Sequence, residues 1–189
     1  MRLVGIVLQY LLQCRRALWV PLVPILLGAS APTEHEVKLV YLYNFTKFVT
    51  WPDSAFSTPE SSVNICVLGD IHNFYQRDFL KDRKVRNRPI ALEFFEKLPE
   101  QSLCHVLFIT KNYDRKQAST IIKHLATPTL VVGETTDFAK EEGIIGFLTD
   151  AQRRIRIEIN LINAKEKNLT IRAQLLEIAR VIYKDEVSS

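Results

Sequence analysis

The chain has 189 residues, of which 47% are hydrophobic, 24% charged and 10% aromatic. This length and apolar fraction can fill one domain core and exclude an intrinsically disordered protein. With 6 Gly, 8 Pro and 3 Cys, the sequence is also unlike collagen, mucin or a disulfide-dense scaffold. Composition alone therefore describes a globular domain.

Residues 1–31 have the pattern of a secretory signal peptide. Arg15 and Arg16 precede an apolar run of 11 residues and then a stretch of small residues. The run is shorter than the roughly 20 apolar residues that span a bilayer, and two prolines interrupt it. We expect export and cleavage after Ala31, which leaves residues 32–189 as one domain. The alternative is an uncleaved N-terminal helix that anchors the chain in the membrane or is buried in the fold.

Removal of this segment changes the charge of the chain. The segment contains three of the 25 basic residues and no acidic one, so 22 basic residues remain against 21 acidic residues. A net charge of about +1 gives no electrostatic support for nucleic-acid binding, and no nucleic-acid partner is expected. The one basic cluster, at residues 81–88, is interrupted by Asp82 and is interpreted as a solvated loop.

Two cysteines remain after cleavage, Cys66 and Cys104. An even pair in an oxidising compartment predicts a disulfide. The spacing of 38 residues differs from CxxC, which argues against a thioredoxin-type redox site and against a structural zinc site. Two free buried thiols are the alternative.

Hydrophobic periodicity predicts helices and strands that alternate along the exported chain. In chain order these are helix 34–51, strand 63–68, helix 71–80, edge strand 89–95, strand 104–110, helix 113–125, strand 129–132, a short helix 138–143, hairpin strands 144–148 and 155–159, a helix from the N-cap Asn160 to Lys167 with Asn168 as its left-handed end, and helix 173–183. We expect a single-domain α/β fold. Its sheet should be mixed and mostly parallel, with five to six strands, helices on both faces and a late antiparallel hairpin.

Few residues show a pattern typical of catalysis. Asp70 and His72 follow the strand 63–68, at the edge where open α/β sheets bind ligands, and suit a general base and acid or two metal ligands. A turn cap by Asp70 is the alternative. His105 is interpreted as a partly buried imidazole with satisfied hydrogen bonds. Because no phosphate-binding loop, nucleophile elbow or zinc-protease motif is present, no catalytic residue, metal or cofactor is assigned.

The second hairpin strand alternates in polarity. Arg154, Arg156, Glu158 and Asn160 lie on one face of the strand, and three isoleucines lie on the other. Such a polar face can recognise a carboxylate, a phosphate or the side chains of a partner protein. An exposed strand stabilised by its own salt bridges is the alternative.

Several segments occur together in a characteristic order. They are VYLYNFTKFVTWP at 40–52, ICVLGD at 65–70, CHVLFI at 104–109, LVVG at 130–133, Phe138, Gly143, RIEINL at 156–161 and QLL at 174–176. This ordered set resembles the YfiR-like family of exported bacterial proteins, and the resemblance extends over essentially the whole exported chain.

The resemblance implies a periplasmic protein that binds the periplasmic sensor region of a membrane-bound diguanylate cyclase and holds it inactive. Intracellular cyclic di-GMP and biofilm formation would fall as a result. An outer-membrane lipoprotein that sequesters the repressor, and a homodimer, are further expectations. A small-ligand sensor of the envelope is the alternative function, followed by an envelope hydrolase that uses Asp70 and His72.

The resemblance also bears on particular residues. Cys66 and Cys104 match a family cysteine pair, which implies a redox-sensitive bridge. Some relatives carry a second pair near the late hairpin, where this chain has residues such as Ile145 and Phe147. The expected binding surface for a partner or ligand consists of the exposed face of the last helix and of Phe138, Arg154, Arg156, Glu158 and Asn160.

Overall fold

The structure, a computed structural model, describes residues 32–69, 77–125 and 128–182. Its strands in chain order are β1 (Val49–Thr50), β2 (Val63–Leu68), β3 (Lys84–Val85), β4 (Arg88–Phe95), β5 (Val106–Ile109), β6 (Leu130–Gly133), β7 (Ile145–Thr149), β8 (Ile155–Asn160), β9 (Thr170–Ile171) and β10 (Arg180–Ile182). Its α-helices are α1 (Glu34–Phe48), α2 (Arg115–Lys123), α3 (Leu161–Glu166) and α4 (Ala173–Leu176). Short 3-10 helices form at Asp53–Ala55, Arg77–Leu80 and Phe138–Lys140.

The main sheet has the strand order β10-β8-β7-β6-β5-β2-β4-β3. Strands β4, β2, β5, β6 and β7 are parallel to one another, and β8 returns antiparallel to β7. Strand β10 is parallel to β8, and β3 is antiparallel to β4. Strands β1 and β9 form a separate antiparallel pair. The predicted α/β class, the mostly parallel sheet and the late hairpin are confirmed.

The main sheet has eight strands where five to six were expected, because β3 and β10 were not predicted. Strand β3 lies inside the basic segment that was interpreted as a loop. Arg86 and Asn87 both have positive φ, 47° and 66°, which is the backbone geometry of a tight two-residue hairpin turn. Strand β3 covers only the start of β4, at Arg88 and Pro89, and no described strand pairs with the outer side of β4 at residues 91–95. The predicted edge position is therefore wrong at the start of β4 and right for the rest of it.

The predicted helix 173–183 is wrong in its second half. The helix ends at Leu176, and Arg180–Ile182 forms β10 along the free edge of β8. Val181 and Ile182 are β-branched and favour a strand, and the open backbone groups of β8 give this strand a partner. Similarly, α1 ends at Phe48 rather than at residue 51 because β1 pairs with β9. Of the predicted helix 71–80, only Arg77–Leu80 lies among the described residues.

Helices pack on both faces of the sheet, as expected. On the α1 face, Leu39, Leu42 and Phe45 are buried against the sheet, in the same core as residues of α3 and α4. On the opposite face, which we call the α2 face, Ala118 and Ile122 of α2 pack over β2, β5 and β6. A capping box at Thr33 begins α1, and one at Asp114 begins α2. In each box, side chains accept hydrogen bonds from two backbone N–H groups that the helix itself leaves without a partner.

The α2 face is covered unevenly. Among the described residues, no α-helix packs on this face over β7, β8 and β10, and only the 3-10 helix Phe138–Lys140 lies there. The strand registers place Leu148, Arg156 and Arg180 on this part of the face. The polar strand predicted to carry a binding surface therefore borders an open part of the sheet.

Asn160 ties the hairpin to the elements on both sides of it. Its Oδ1 accepts hydrogen bonds from the backbone N–H groups of Ile162 and Asn163, at 3.0 Å each, which confirms the predicted N-cap of α3. Its Nδ2 donates to the carbonyl oxygen of Ala139 at 2.8 Å. Asn168 has φ 56°, the left-handed backbone expected after this helix. One buried amide thus holds β8, α3 and the 3-10 helix together.

The change Asn160→Ala should lower the free energy of unfolding by about 2 to 4 kcal/mol, because it removes a helix cap and leaves a buried carbonyl without its donor. Urea unfolding of the purified protein measures this loss. Asn160→Ser, which retains an oxygen able to cap the helix, should lose less. A loss below about 1 kcal/mol for Asn160→Ala would contradict the assigned role.

Candidate functional site

A disulfide joins Cys66 and Cys104, in agreement with the prediction. Cys66 lies in β2 and Cys104 precedes β5, with their Cα atoms 5.8 Å apart. Both residues are buried in the core of the α2 face. Exchange with a thiol requires a thiolate to reach one of the two sulfur atoms, so burial favours a structural bridge. In the loop-entropy model, a bridge over this separation stabilises the fold by about 3 to 4 kcal/mol.

His105, next to the disulfide, connects three segments of the chain. Its Nδ1 accepts a hydrogen bond from the backbone N–H of Asn64 at 3.1 Å, and its Nε2 lies 3.0 Å from the carbonyl oxygen of Ala55. The ring stacks on Phe56 with centroids 4.4 Å apart. Trp51 donates its indole N–H to the His105 carbonyl at 3.1 Å. The predicted satisfaction of its hydrogen bonds is confirmed, and the residue, which was expected to be partly buried, is buried.

These contacts fix the charge state of His105. Because Nδ1 accepts from Asn64, the single ring proton sits on Nε2 and is donated to Ala55. Burial lowers the pKa of His105, the hydrogen bond to Ala55 raises it, and the charge of Arg88 lowers it; the net effect is a lowered pKa. A second ring proton would point at the Asn64 N–H and break that hydrogen bond.

Arg154 and Arg156 converge on one carboxylate. The Nε atoms of the two arginines lie 2.9 and 3.1 Å from Oδ2 of Asp150. Asp150 also accepts backbone hydrogen bonds from Gln152 and Arg154 across the hairpin turn. The Arg154 backbone N–H, with the guanidinium groups of Arg154 and Arg156, lowers the pKa of Asp150 to about 2. The turn therefore holds two arginines side by side, with 60% and 55% of their side chains exposed.

Glu158 and Asn160, which were expected on the same binding face, are buried. The side chain of Glu158 is only 2% exposed and forms an ion pair with Arg180 of β10 at 3.2 Å. Asn160 lies under the 3-10 helix, where its amide is bonded as described above. Both side chains therefore hold the fold, and β10 contributes Arg180, 59% exposed, to the outer surface. Arg180 was missed because its segment was predicted as a helix.

Phe138 also lies inside the fold. A Cβ atom added at Gly133 or at Gly143 would come within 2.5 or 2.2 Å of its ring. The ring thus fills the space that these two glycines leave, and it packs in the same core as Ala118 and Ile122 of α2. A groove of about 810 Å³ lies between α2 and the segment that contains Phe138. Ion pairs from Arg115 to Glu141 and from Lys123 to Glu142, together with a Ser119 hydrogen bond to Glu142, join its two sides.

The carboxyl edge of the sheet, where a small ligand was considered, contains a buried ion pair at β6. Glu134 directly follows β6 and accepts a hydrogen bond from Lys38 of α1. Lys38 also lies 2.6 Å from Glu34, and the backbone N–H of Lys111 donates to Glu134 at 2.8 Å. Burial alone would lower the pKa of Lys38, but its hydrogen bonds to Glu134 and Glu34 raise it. These contacts pin α1 to the sheet and occupy this part of the edge.

Asp70 and His72, the residues considered for hydrolysis, lie outside the described residues. Within residues 32–69, 77–125 and 128–182, no group of three or more His, Cys, Asp or Glu is arranged to hold a metal ion. None of the helices in these ranges has the length and apolar character needed to cross a membrane.

The described residues thus define an α/β domain with a buried disulfide, in which two of the four polar residues predicted for the binding face, Glu158 and Asn160, hold the fold. The YfiR/HmsC-like family matches residues 35–180. The chain belongs to this family, as its ordered segments indicated. None of the curated proteins matches the chain. Membership in the family suggests a periplasmic regulator of diguanylate cyclase signalling.

The lowered pKa of His105 predicts a loss of stability in acid. Below about pH 6.5, the ordinary value, the unfolded chain binds a proton that the folded chain excludes, so the free energy of unfolding falls by up to about 1.4 kcal/mol per pH unit until the folded pKa is reached. Above about pH 7.5 this contribution should be constant. Urea unfolding between pH 8 and pH 5 measures the slope, which His105→Asn should reduce.

His124→Asn, which removes an exposed histidine at the end of α2, is the matched control for the same substitution at another site. An unchanged slope in His105→Asn would contradict the prediction.

Proposed function

We propose that this protein is an exported regulator that binds and inhibits the periplasmic sensor region of a membrane-bound diguanylate cyclase. Its action lowers intracellular cyclic di-GMP and biofilm formation. Membership in the YfiR/HmsC-like family is the observation that carries this proposal. In this proposal, residues 1–31 are the signal peptide. The exported protein acts by binding, without a chemical reaction and without a cofactor.

The proposed docking surface is the open part of the α2 face. It comprises Arg154, Arg156, Arg180 and Leu148, and we call it the arginine face. The three arginine side chains are more than half exposed, whereas the side chains of their acidic partners, Asp150 and Glu158, are 19% and 2% exposed. The face therefore presents positive charge outward, and its partner is an acidic surface of the cyclase sensor region.

Glu158, Asn160 and Phe138 support this surface from below. Glu158 orients Arg180, Asn160 holds the 3-10 helix on β8, and Phe138 fixes that helix against α2. In this proposal they position the docking residues, and Arg154, Arg156 and Arg180 contact the partner.

Inhibition by binding is a population shift. A repressor lowers cyclase output only if it binds the inactive conformation of the sensor region more tightly than the active one. A preference of about 5.5 kcal/mol, roughly 10⁴-fold, converts a mostly active ensemble into a mostly inactive one. A set of arginines whose carboxylate partners are fixed by the fold is suited to this, because few side-chain rotations are lost on binding.

The test is the intracellular concentration of cyclic di-GMP in a strain that contains the cyclase. Deletion of the gene should raise this concentration, and the wild-type gene should restore it. The Arg154→Gln/Arg156→Gln double variant should fail to restore it at equal periplasmic abundance, because it removes two charges from the arginine face. The Arg115→Gln/Lys123→Gln variant loses the same charge from exposed positions on α2 and should restore it.

An unchanged cyclic di-GMP concentration after deletion would overturn the proposed function. Full restoration by the Arg154→Gln/Arg156→Gln variant would leave the function standing and overturn the docking surface.

A further inference from the structure

Arginine side chains also gather at the opposite end of the sheet, at the amino ends of β2 and β4. A cavity of about 200 Å³ lies there, and its lining includes Thr50, Trp51, Asp53, Arg86 and Arg88. Arg86 belongs to the β3–β4 turn, and Arg88 is the first residue of β4. This cavity is separate from the arginine face, which lies at the β7–β8 hairpin.

Arg88 is held in place by contacts that do not neutralise its positive charge. Its guanidinium group lies 3.8 Å from the centre of the Phe56 ring. Its Nη1 donates hydrogen bonds to the carbonyl oxygens of Thr58 and Ser61, at 2.8 and 3.0 Å. An aromatic face and neutral carbonyls orient a guanidinium group but carry no formal negative charge.

Arg86 is held in a similar way, close to a second positive charge. Its Nη2 donates to the hydroxyl of Thr50 at 3.1 Å. Arg172 follows β9, which pairs with the strand that contains Thr50, and its backbone N–H donates to Phe48 at 2.9 Å. Burial lowers the pKa of Arg86, and the positive charge of Arg172 lowers it further.

No carboxylate neutralises this group of arginines in the part of the chain that the structure describes. Arg86, Arg88 and Arg172 form no ion pair with an Asp or Glu there, although Asp53 lines the cavity. At the β7–β8 hairpin, by contrast, Arg154 and Arg156 both form an ion pair with Asp150. Two oriented guanidinium groups, those of Arg86 and Arg88, together with the nearby charge of Arg172, create a positive potential that an anion would relieve.

We propose that this cavity binds a small oxyanion between Arg86 and Arg88, with the Thr50 hydroxyl as a further donor and the charge of Arg172 as additional attraction from outside the lining, and that a phosphate group is its preferred occupant. Guanidinium groups match the geometry of phosphate oxygens, and a doubly charged anion compensates more of the positive charge than a monocarboxylate. The volume is below the roughly 300 Å³ at which drug-sized ligand sites begin, so the occupant is inorganic phosphate or a small phosphate monoester.

The test uses the purified exported protein at pH 7.5 and constant ionic strength, with sodium chloride replaced stepwise by sodium phosphate. Isothermal titration calorimetry and the unfolding temperature should both report saturable binding of phosphate. The Arg86→Gln/Arg172→Gln variant should weaken binding at least about tenfold, because one charge-assisted hydrogen-bond donor and one neighbouring positive charge are lost. The Arg115→Gln/Lys123→Gln variant, with the same change in net charge, should bind like the wild type.

The unfolding temperature measured without phosphate shows whether a variant loses binding because it misfolds. This temperature should stay close to that of the wild type in Arg86→Gln/Arg172→Gln, because the variant removes a repulsion along with the exposed hydrogen bond from Arg86 to Thr50. Arg88 is left unchanged since it also holds Phe56 and the loop that contains Thr58.

Parallel titrations with glycerol 3-phosphate distinguish the two sources of the phosphate group. Tighter binding of glycerol 3-phosphate identifies a monoester as the occupant, and tighter binding of inorganic phosphate identifies the free ion. The proposal would be overturned if phosphate raised the unfolding temperature no more than chloride does. It would also be overturned if the wild type and Arg86→Gln/Arg172→Gln bound phosphate equally well. Because the isolated protein is measured, either result is independent of the cyclase.

Discussion

The reversal of strand direction between β7 and β8 determines which surface this protein leaves open. Parallel neighbours require a crossover, and the connection from β5 to β6 places α2 over the sheet. An antiparallel hairpin requires no crossover, so the chain passes from β7 to β8 without adding a helix to the α2 face. The α2 face is therefore well covered at β2, β5 and β6 and open at the hairpin, where the arginine face lies.

Buried contacts hold together the elements beneath the open surface. The disulfide cross-links β2 to the start of β5, and His105 joins the same region to the loop after α1. Lys38 and Glu134 pin α1 to the other end of the sheet. Because these contacts are buried, the surface residues are presented by elements that do not need to rearrange. Such a scaffold suits a protein that acts by selecting one conformation of its partner.

Much of the fold could be predicted from the sequence, because local patterns report which faces are buried. The isoleucines of β8, the N-cap Asn160 and the left-handed Asn168 all have the predicted roles. Strand β10 could not be predicted, since its three residues are a strand only because β8 offers a free edge. The turn at Arg86 and Asn87 lacks glycine, and its left-handed backbone leaves no clear signal in the sequence.

The candidate site was predicted less completely, for a related reason. Alternation correctly separates Arg156, Glu158 and Asn160 from the isoleucines, but it does not reveal what covers each residue. Strand β10 and the 3-10 helix bury Glu158 and Asn160 and leave Arg156 exposed. At the amino end of the sheet, Arg86 and Arg88 belong to the basic segment that was interpreted as a loop, and only the folded chain brings the distant Arg172 into their neighbourhood.

Hydrogen exchange of the purified protein, with and without the periplasmic region of the cyclase, tests the central claim most directly. The account predicts a complex in which the amides of the β7–β8 hairpin and β10 become more protected, while those of α1 do not change. Protection confined to α1 or α2, or the absence of a complex, would contradict it.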